Sequence, residues 1–139
     1  MALQLESLEK AIASLQEAIE FSCSKMAKED NRLFRQFRNS VIQCFEFTYE
    51  LSWKMLKRRL ELDAPTPSNI DELNYNDLMR EAAVRGLIQD PVLWMEYRKE
   101  RNITSHAYNE RMAQEVYEAA MKFFKDASEL LKVLQEKNL

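Results

Sequence analysis

The chain has 139 residues, 46% of them apolar and 31% charged, with a formal net charge of −3. This size and balance describe one soluble globular domain over 1–139, without the Lys and Arg excess that binds nucleic acid by bulk electrostatics. One glycine and three prolines cannot supply the turns of an all-β fold, so the composition predicts an all-α chain of long helices.

The opening "MALQLESLEK" has neither a basic segment nor a continuous apolar run, which argues against a signal peptide. Leu5, Leu8, Ile12, Leu15 and Ile19 then recur at steps of three and four and define a first amphipathic helix. "KED" followed by Asn31 offers a break, with Asp30 placed to cap the next helix. Cys23 and Cys44 match no zinc or CxxC spacing and read as small buried hydrophobes in a reducing cytosol.

A second helix is expected from about Asn31 to Leu62, with no internal Gly or Pro. Its middle, "VIQCFEFTYELSWKML", is apolar on nearly every side and must be covered on more than one face. Phe45, Phe47, Tyr49 and Trp53 suit either a dimer interface or a bundle core. Glu46 and Glu50, one turn apart, fit a carboxylate-only magnesium site or an exposed or paired helix edge. Three basic clusters are Arg32, Arg35 and Arg38; "KMLKRR" ending at Arg59; and Arg98, Lys99 and Arg101. They read as solvated helix faces, with local RNA contact as the alternative.

"LDAPTPSNIDELNY" carries two prolines and forms the one long connection. A third helix, "NDLMREAAVR", closes at Gly86, which suits the left-handed residue after a helix end. Asp90 and Pro91 restart the chain as N-cap and first helical residue of a fourth helix, "PVLWMEYRKER". Asn109 is placed to cap the last helix, with apolar positions Met112, Val116, Ala120, Phe123, Ala127, Leu130 and Leu134. No run approaches the ~20 apolar residues of a membrane span, so a cytoplasmic helical bundle without membrane contact is expected.

Several chemistries are excluded. The single glycine leaves no P-loop, dinucleotide fingerprint or nucleophile elbow. One histidine and no cysteine cluster argue against zinc, and no metal ligand is assigned. Nucleotidyl transfer needs a Gly-Ser turn and metal-binding aspartates on strands, so this chain cannot perform it alone.

"RNITSHAYNE", residues 101–110, holds the only histidine. Arg101 falls near the end of the fourth helix and His106 in the link to the fifth, whose first backbone N–H groups would favour an anion. A phosphate there would meet a permanent cation and an imidazole that titrates near neutrality. Those parts suit metal-independent RNA cleavage, with His106 exchanging a proton and Arg101 stabilising phosphoryl charge. One histidine cannot be base and acid at once, so a symmetric dimer would supply the second. Thr104 and Ser105 either orient the loop or satisfy backbone groups. A satisfied turn histidine is the plain alternative.

Arg101, His106 and Tyr108 together resemble the R-x4-H-x-Y signature of the HEPN superfamily, and Asn102 also fits. "FEFTYELSWK" at 45–54, and Arg80-Glu81-Ala82, Gly86-Leu87-Ile88, Asp90 and Trp94, resemble two further blocks of its HepT-like, nucleotidyltransferase substrate-binding branch. The likeness spans about residues 30–120. It implies an up-and-down four-helix bundle with an additional short helix, similar to the C-terminal domain of kanamycin nucleotidyltransferase, and a homodimer. It also implies a separately encoded minimal nucleotidyltransferase as partner, using ATP and Mg, while this chain carries no cofactor.

In toxin–antitoxin members of that family the helical subunit is a ribonuclease, silenced when the partner adds AMP to the motif tyrosine. By position, Arg101 and His106 would be the nuclease pair and Tyr108 the modified hydroxyl. Asn102, Thr104 and Ser105 would face nucleotide or RNA. Three readings follow: a binding subunit of a two-component nucleotidyltransferase, a metal-independent ribonuclease toxin, and a structural helical dimer without such chemistry.

Overall fold

A computed structural model describes residues 2–139, and seven α-helices lie among the described residues. They are α1 (Glu6–Ser22), α2 (Lys25–Glu29), α3 (Asn31–Asp63), α4 (Ser68–Asp71), α5 (Tyr75–Val84), α6 (Pro91–Asn102) and α7 (Glu110–Lys137). A 3₁₀ turn at Thr104–His106 joins α6 to α7. No helix among the described residues is long and apolar enough to cross a membrane.

The helix boundaries follow local chemistry. Asp30 Oδ1 accepts from the N–H groups of Arg32 and Leu33, Asp90 Oδ1 from Val92 and Leu93, and Asn109 Oδ1 from Arg111 and Met112. These are the three caps expected from sequence. Gly86 ends α5 with φ +76°, a backbone that costs only glycine little. The first break lies earlier than "KED": α1 ends at Ser22, and Ser24 caps the single turn of α2. Its Oγ accepts from Ala27 N–H, and this local bond outcompetes helix continuation.

Paired residues fix the topology. Arg38 meets Glu110 near the starts of α3 and α7, and Arg59 meets Asn138 near their ends, so these helices run the same way. Ser22 at the end of α1 bonds Tyr117 near the start of α7, and Leu3 bonds Asn138, so α1 runs oppositely. Tyr97 bonds Asp126 while the later Glu100 faces the earlier Glu115, so α6 also opposes α7. The four long helices form an up-and-down bundle, with α5 packed on α6 and α2 and α4 packed on α3.

The core centres on Phe123. Its ring lies 5.2 Å from Phe45, 6.0 Å from Tyr49, 5.6 Å from Trp94 and 5.1 Å from Tyr97, mostly edge to face. Phe45 and Tyr49 are therefore bundle core, which removes them from the dimer surface expected as one alternative. Trp53 is half-buried against the core, and of the four only Phe47 is exposed. Of the last helix's apolar set, Met112 lies exposed while the rest are buried. Cys44 is half-buried, but Cys23 follows the last turn of α1 and is exposed, not a core hydrophobe.

The basic clusters divide in the same way. Arg38 and Arg59 are buried, not solvated. Arg38 donates two bonds of 2.8 and 2.7 Å to the Glu110 carboxylate and a third of 3.1 Å to Gln114. Arg59 grips Asp63 one turn on, at 2.7 Å. Both are structural clamps between a planar guanidinium and a carboxylate.

Candidate functional site

The α6–α7 junction is built by backbone geometry around one committed hydroxyl. Thr104 is buried, and its Oγ1 donates to the Arg101 carbonyl at 2.8 Å, closing the last turn of α6. His106 N–H donates to the Ile103 carbonyl and Ala107 N–H to that of Thr104, which coils 104–106 into the 3₁₀ turn. Of the two roles open to Thr104, satisfying the backbone is the one its geometry serves. Asn102, Ser105, His106 and Tyr108 are all exposed.

Two of the helix-end donors expected to hold an anion are already engaged. Asn109 Oδ1 takes the N–H groups of Arg111 and Met112, and Glu110 occupies the first turn of α7. The Arg38 guanidinium holds the Glu110 carboxyl below the usual carboxylate range and keeps it ionised. With two of these donors capped and Glu110 ionised beside them, side-chain cations offer a phosphate more at this junction than the helix end does.

Arg101 points across to α3. Its Nε lies 3.4 Å from Glu50 and an outer nitrogen 3.8 Å from Glu46. Glu46 and Glu50 are therefore a paired helix edge, and no cluster suited to a metal ion occurs among the described residues. The approach to Glu50 is close but poorly aligned, leaving the buried Arg101 Nε without a hydrogen-bond partner. Arg101 and His106 thus share a junction without a hydrogen bond between them. His106 instead stands beside Tyr108, ring centres 6.3 Å apart.

Tyr108 differs from the other four tyrosines. Tyr49 donates to Tyr75, Tyr75 to the Trp94 carbonyl, Tyr97 to Asp126, and Tyr117 shares a hydrogen bond with Ser22. Tyr108 is 87% exposed, above an open groove lined by Arg35, Arg38 and Asn39.

On the other side of Arg101 and Asn102 lies a cleft of ≈ 350 Å³ between α3, α5 and α6. Trp53, Lys57, Tyr75 and Arg98 share its wall with those two motif residues. Tyr75 is pushed up to about 12, mainly by burial, so its hydroxyl is neutral at ordinary pH. Sequence reasoning missed this cleft because Tyr75 follows the proline-rich connection, on a helix with no periodic link to α3 or α6. The available signal was Trp53, an indole beside Lys54 and Lys57 on a helix otherwise filling the core.

Comparison with known proteins bears on these features. Residues 3–136 match the family model described as nucleotidyltransferase substrate binding protein like. A Haemophilus influenzae protein named probable ribonuclease HepT is 45% identical over 98 residues, covering 70% of this chain and 67% of that protein. A solved H. influenzae structure, described as revealing the fold of a substrate-binding domain of a nucleotidyltransferase, superposes with a TM-score of 0.89 at 36% identity. It covers 95% of this chain and 99% of that one. A Thermus thermophilus structure gives a TM-score of 0.69 at 25% identity, covering 91% of this chain and 98% of that one. The chain belongs to the nucleotidyltransferase substrate-binding protein family.

Proposed function

We propose that this family member is the helical, substrate-binding subunit of a two-component nucleotidyltransferase, acting with a separately encoded minimal nucleotidyltransferase in the cytoplasm. The observation that carries this reading is the near end-to-end superposition on a chain described as a substrate-binding domain. The division of labour is chemically consistent. With one glycine the chain has no phosphate-cradling loop, while the α6–α7 junction offers Arg101, Asn102 and an exposed hydroxyl. The partner would supply the ATP and Mg chemistry. Coexpression with a small nucleotidyltransferase encoded beside it should give a stable complex; a wild-type chain that never retains such a partner would overturn the reading.

A second reading has its own support. Tyr108 alone among the tyrosines is exposed, so its hydroxyl can enter another enzyme's active site and take AMP from ATP, with pyrophosphate leaving, without unfolding anything. This suits a metal-independent ribonuclease toxin of the HepT type, silenced by that modification. His106 would move the proton of the 2′-hydroxyl and Arg101 would stabilise phosphoryl charge, with Asn102 and Ser105 exposed toward RNA and Thr104 holding the turn. A homodimer would bring the second histidine. Wild-type protein should cleave RNA in EDTA and His106→Ala should not; equal cleavage by both would exclude this chemistry. Mass spectrometry after incubation with partner and ATP should find AMP on Tyr108.

A further inference from the structure

We propose that the cleft between α3, α5 and α6 is a subsite for one unstacked nucleotide, its base against Trp53 and its phosphate on Arg98 and Lys57. This deepens the substrate-binding reading and rests on it.

The first ground is charge and shape together. Lys57, Arg98 and Arg101 line the cleft against one carboxylate, Glu50, so its interior is net positive in a chain of net charge −3. Its ≈ 350 Å³ lies near the lower end of the about 300–1,000 Å³ typical of small-ligand sites, which suits a single nucleotide and excludes a duplex. The groove beside Tyr108, where Arg35 and Arg38 face Glu110, has no tryptophan to stack on a base, and two of the other openings are acidic. One between α6 and α7 is lined by Glu96, Glu100, Glu115 and Glu118, and would repel phosphate. Another, near Gly86, includes Asp90, Asp126 and Glu129 and no cation.

The second ground is unspent bonding capacity. Arg98 forms no ion pair among the described residues; its guanidinium lies over the Tyr75 ring, 4.6 Å from the centroid. Stacking fixes the plane of the guanidinium while leaving its edge N–H groups for an anion. Lys57 lies 3.5 Å from Asp71, an exposed partner that a phosphate can replace. Arg101 Nε is buried without a hydrogen-bond partner, an unmet donor in the cleft wall. Trp53 donates Nε1–H to Glu50 at 3.3 Å and is set edge to face on Tyr75, so the indole is held in place before any base arrives. A planar base gains from a ring already fixed, without sequence preference.

The ligand chemistry is common to a free nucleoside phosphate and to one residue of an RNA strand. The test separates these sources using the whole chain. Trp94 is 2% exposed while Trp53 is half-buried, so quenching of tryptophan fluorescence reports Trp53. Titration with AMP and with a hexaadenylate should each be followed, with calorimetry for the tryptophan variant. Saturable binding is expected, weakened roughly tenfold in Trp53→Leu and in Arg98→Ala, the loss of one stack or one charge-assisted contact. Lys125→Ala, on the exposed face of α7, should bind as wild type. Equal affinity for both ligands assigns the site to a free nucleotide, and tenfold tighter hexaadenylate binding assigns it to RNA. Arg98 is exposed, so its removal leaves the fold intact, as a thermal melt will verify. No saturable binding of either ligand, or binding unchanged in both cleft variants, overturns the proposal. Retention of the nucleotidyltransferase is scored on the same proteins: retention without nucleotide binding overturns the cleft alone, and failure of the wild type to retain it overturns the subunit reading.

Discussion

Two aromatic regions of this molecule stand in contrast. Around Phe123, the rings of Phe45, Tyr49, Trp94 and Tyr97 are buried, mutually packed and bonded wherever they carry a hydroxyl. At the α6–α7 junction, His106 and Tyr108 stand side by side in solvent, with no core contact to justify them. The first arrangement stores stability; the second leaves polar groups available to another molecule. The difference separates residues that make the fold from residues that the fold displays.

The contrast is broken most directly at its centre. Phe123→Ala should cost about 3–5 kcal/mol, because it removes a fully buried ring from four aromatic partners and leaves a cavity. Urea unfolding would show it as a lower midpoint at an unchanged slope. A loss under about 1 kcal/mol would mean that the cluster is not the mechanical centre of the bundle.

A smaller effect is expected at Arg38, which joins the core to the junction. Its guanidinium is 3% exposed and forks onto Glu110 and Gln114, tying the start of α7 to α3. Arg38→Ala should lower Tm by about 5 °C. Arg38→Lys should recover little of that loss, since an ammonium cannot form the two parallel bonds. Full recovery by lysine would reduce the clamp to simple charge attraction.

Smaller again is a pH effect between α6 and α7. Burial first, and then the facing Glu115 carboxylate, raise the Glu100 carboxyl from 4.5 to about 7. The folded state therefore holds this proton more tightly than the unfolded chain. The associated stability is fully present below about pH 4.5 and is lost as pH rises through about 7. Glu96, Glu118, Lys99 and Lys122 also face or flank the group. Glu100→Gln should stabilise the protein at pH 8 by about 1 kcal/mol, a figure discounted for partial exposure, and have little effect at pH 4. A variant no more stable at pH 8 than wild type would show that water screens this pair.

Much of this organisation was legible in the residues. The caps at Asp30, Asp90 and Asn109 and the glycine stop at Gly86 are local events, each decided within a few residues, and they stand where expected. The single-turn helices α2 and α4 were not visible, because one turn is too short for a hydrophobic period. Burial of Arg38 was hidden for a different reason. Arg35 and Arg38 look alike in sequence, and only the arrival of Glu110 from a helix 72 residues on distinguishes them. The motif located the junction, but the cleft beside it is assembled from three helices, and no run of sequence holds those residues together.

The smallest effect on stability should come from the most exposed ring, and that is where the contrast is sharpest. Tyr108→Phe removes one oxygen from a side chain that is 87% exposed, so stability should change by no more than about 0.5 kcal/mol. In the same protein, the AMP transfer proposed for Tyr108 should fall below detection, because phenylalanine has no acceptor oxygen and the other four hydroxyls are already hydrogen-bonded. The comparison variant is Tyr97→Phe, which leaves Tyr108 intact but strands Asp126 without its donor. It should lose stability and keep modification. If Tyr108→Phe is still modified on another tyrosine, the hydrogen-bonded hydroxyls open more readily than their packing implies, and exposure is not what selects the acceptor. If it is unmodified and equally stable, the residue contributes chemistry and almost nothing to the fold.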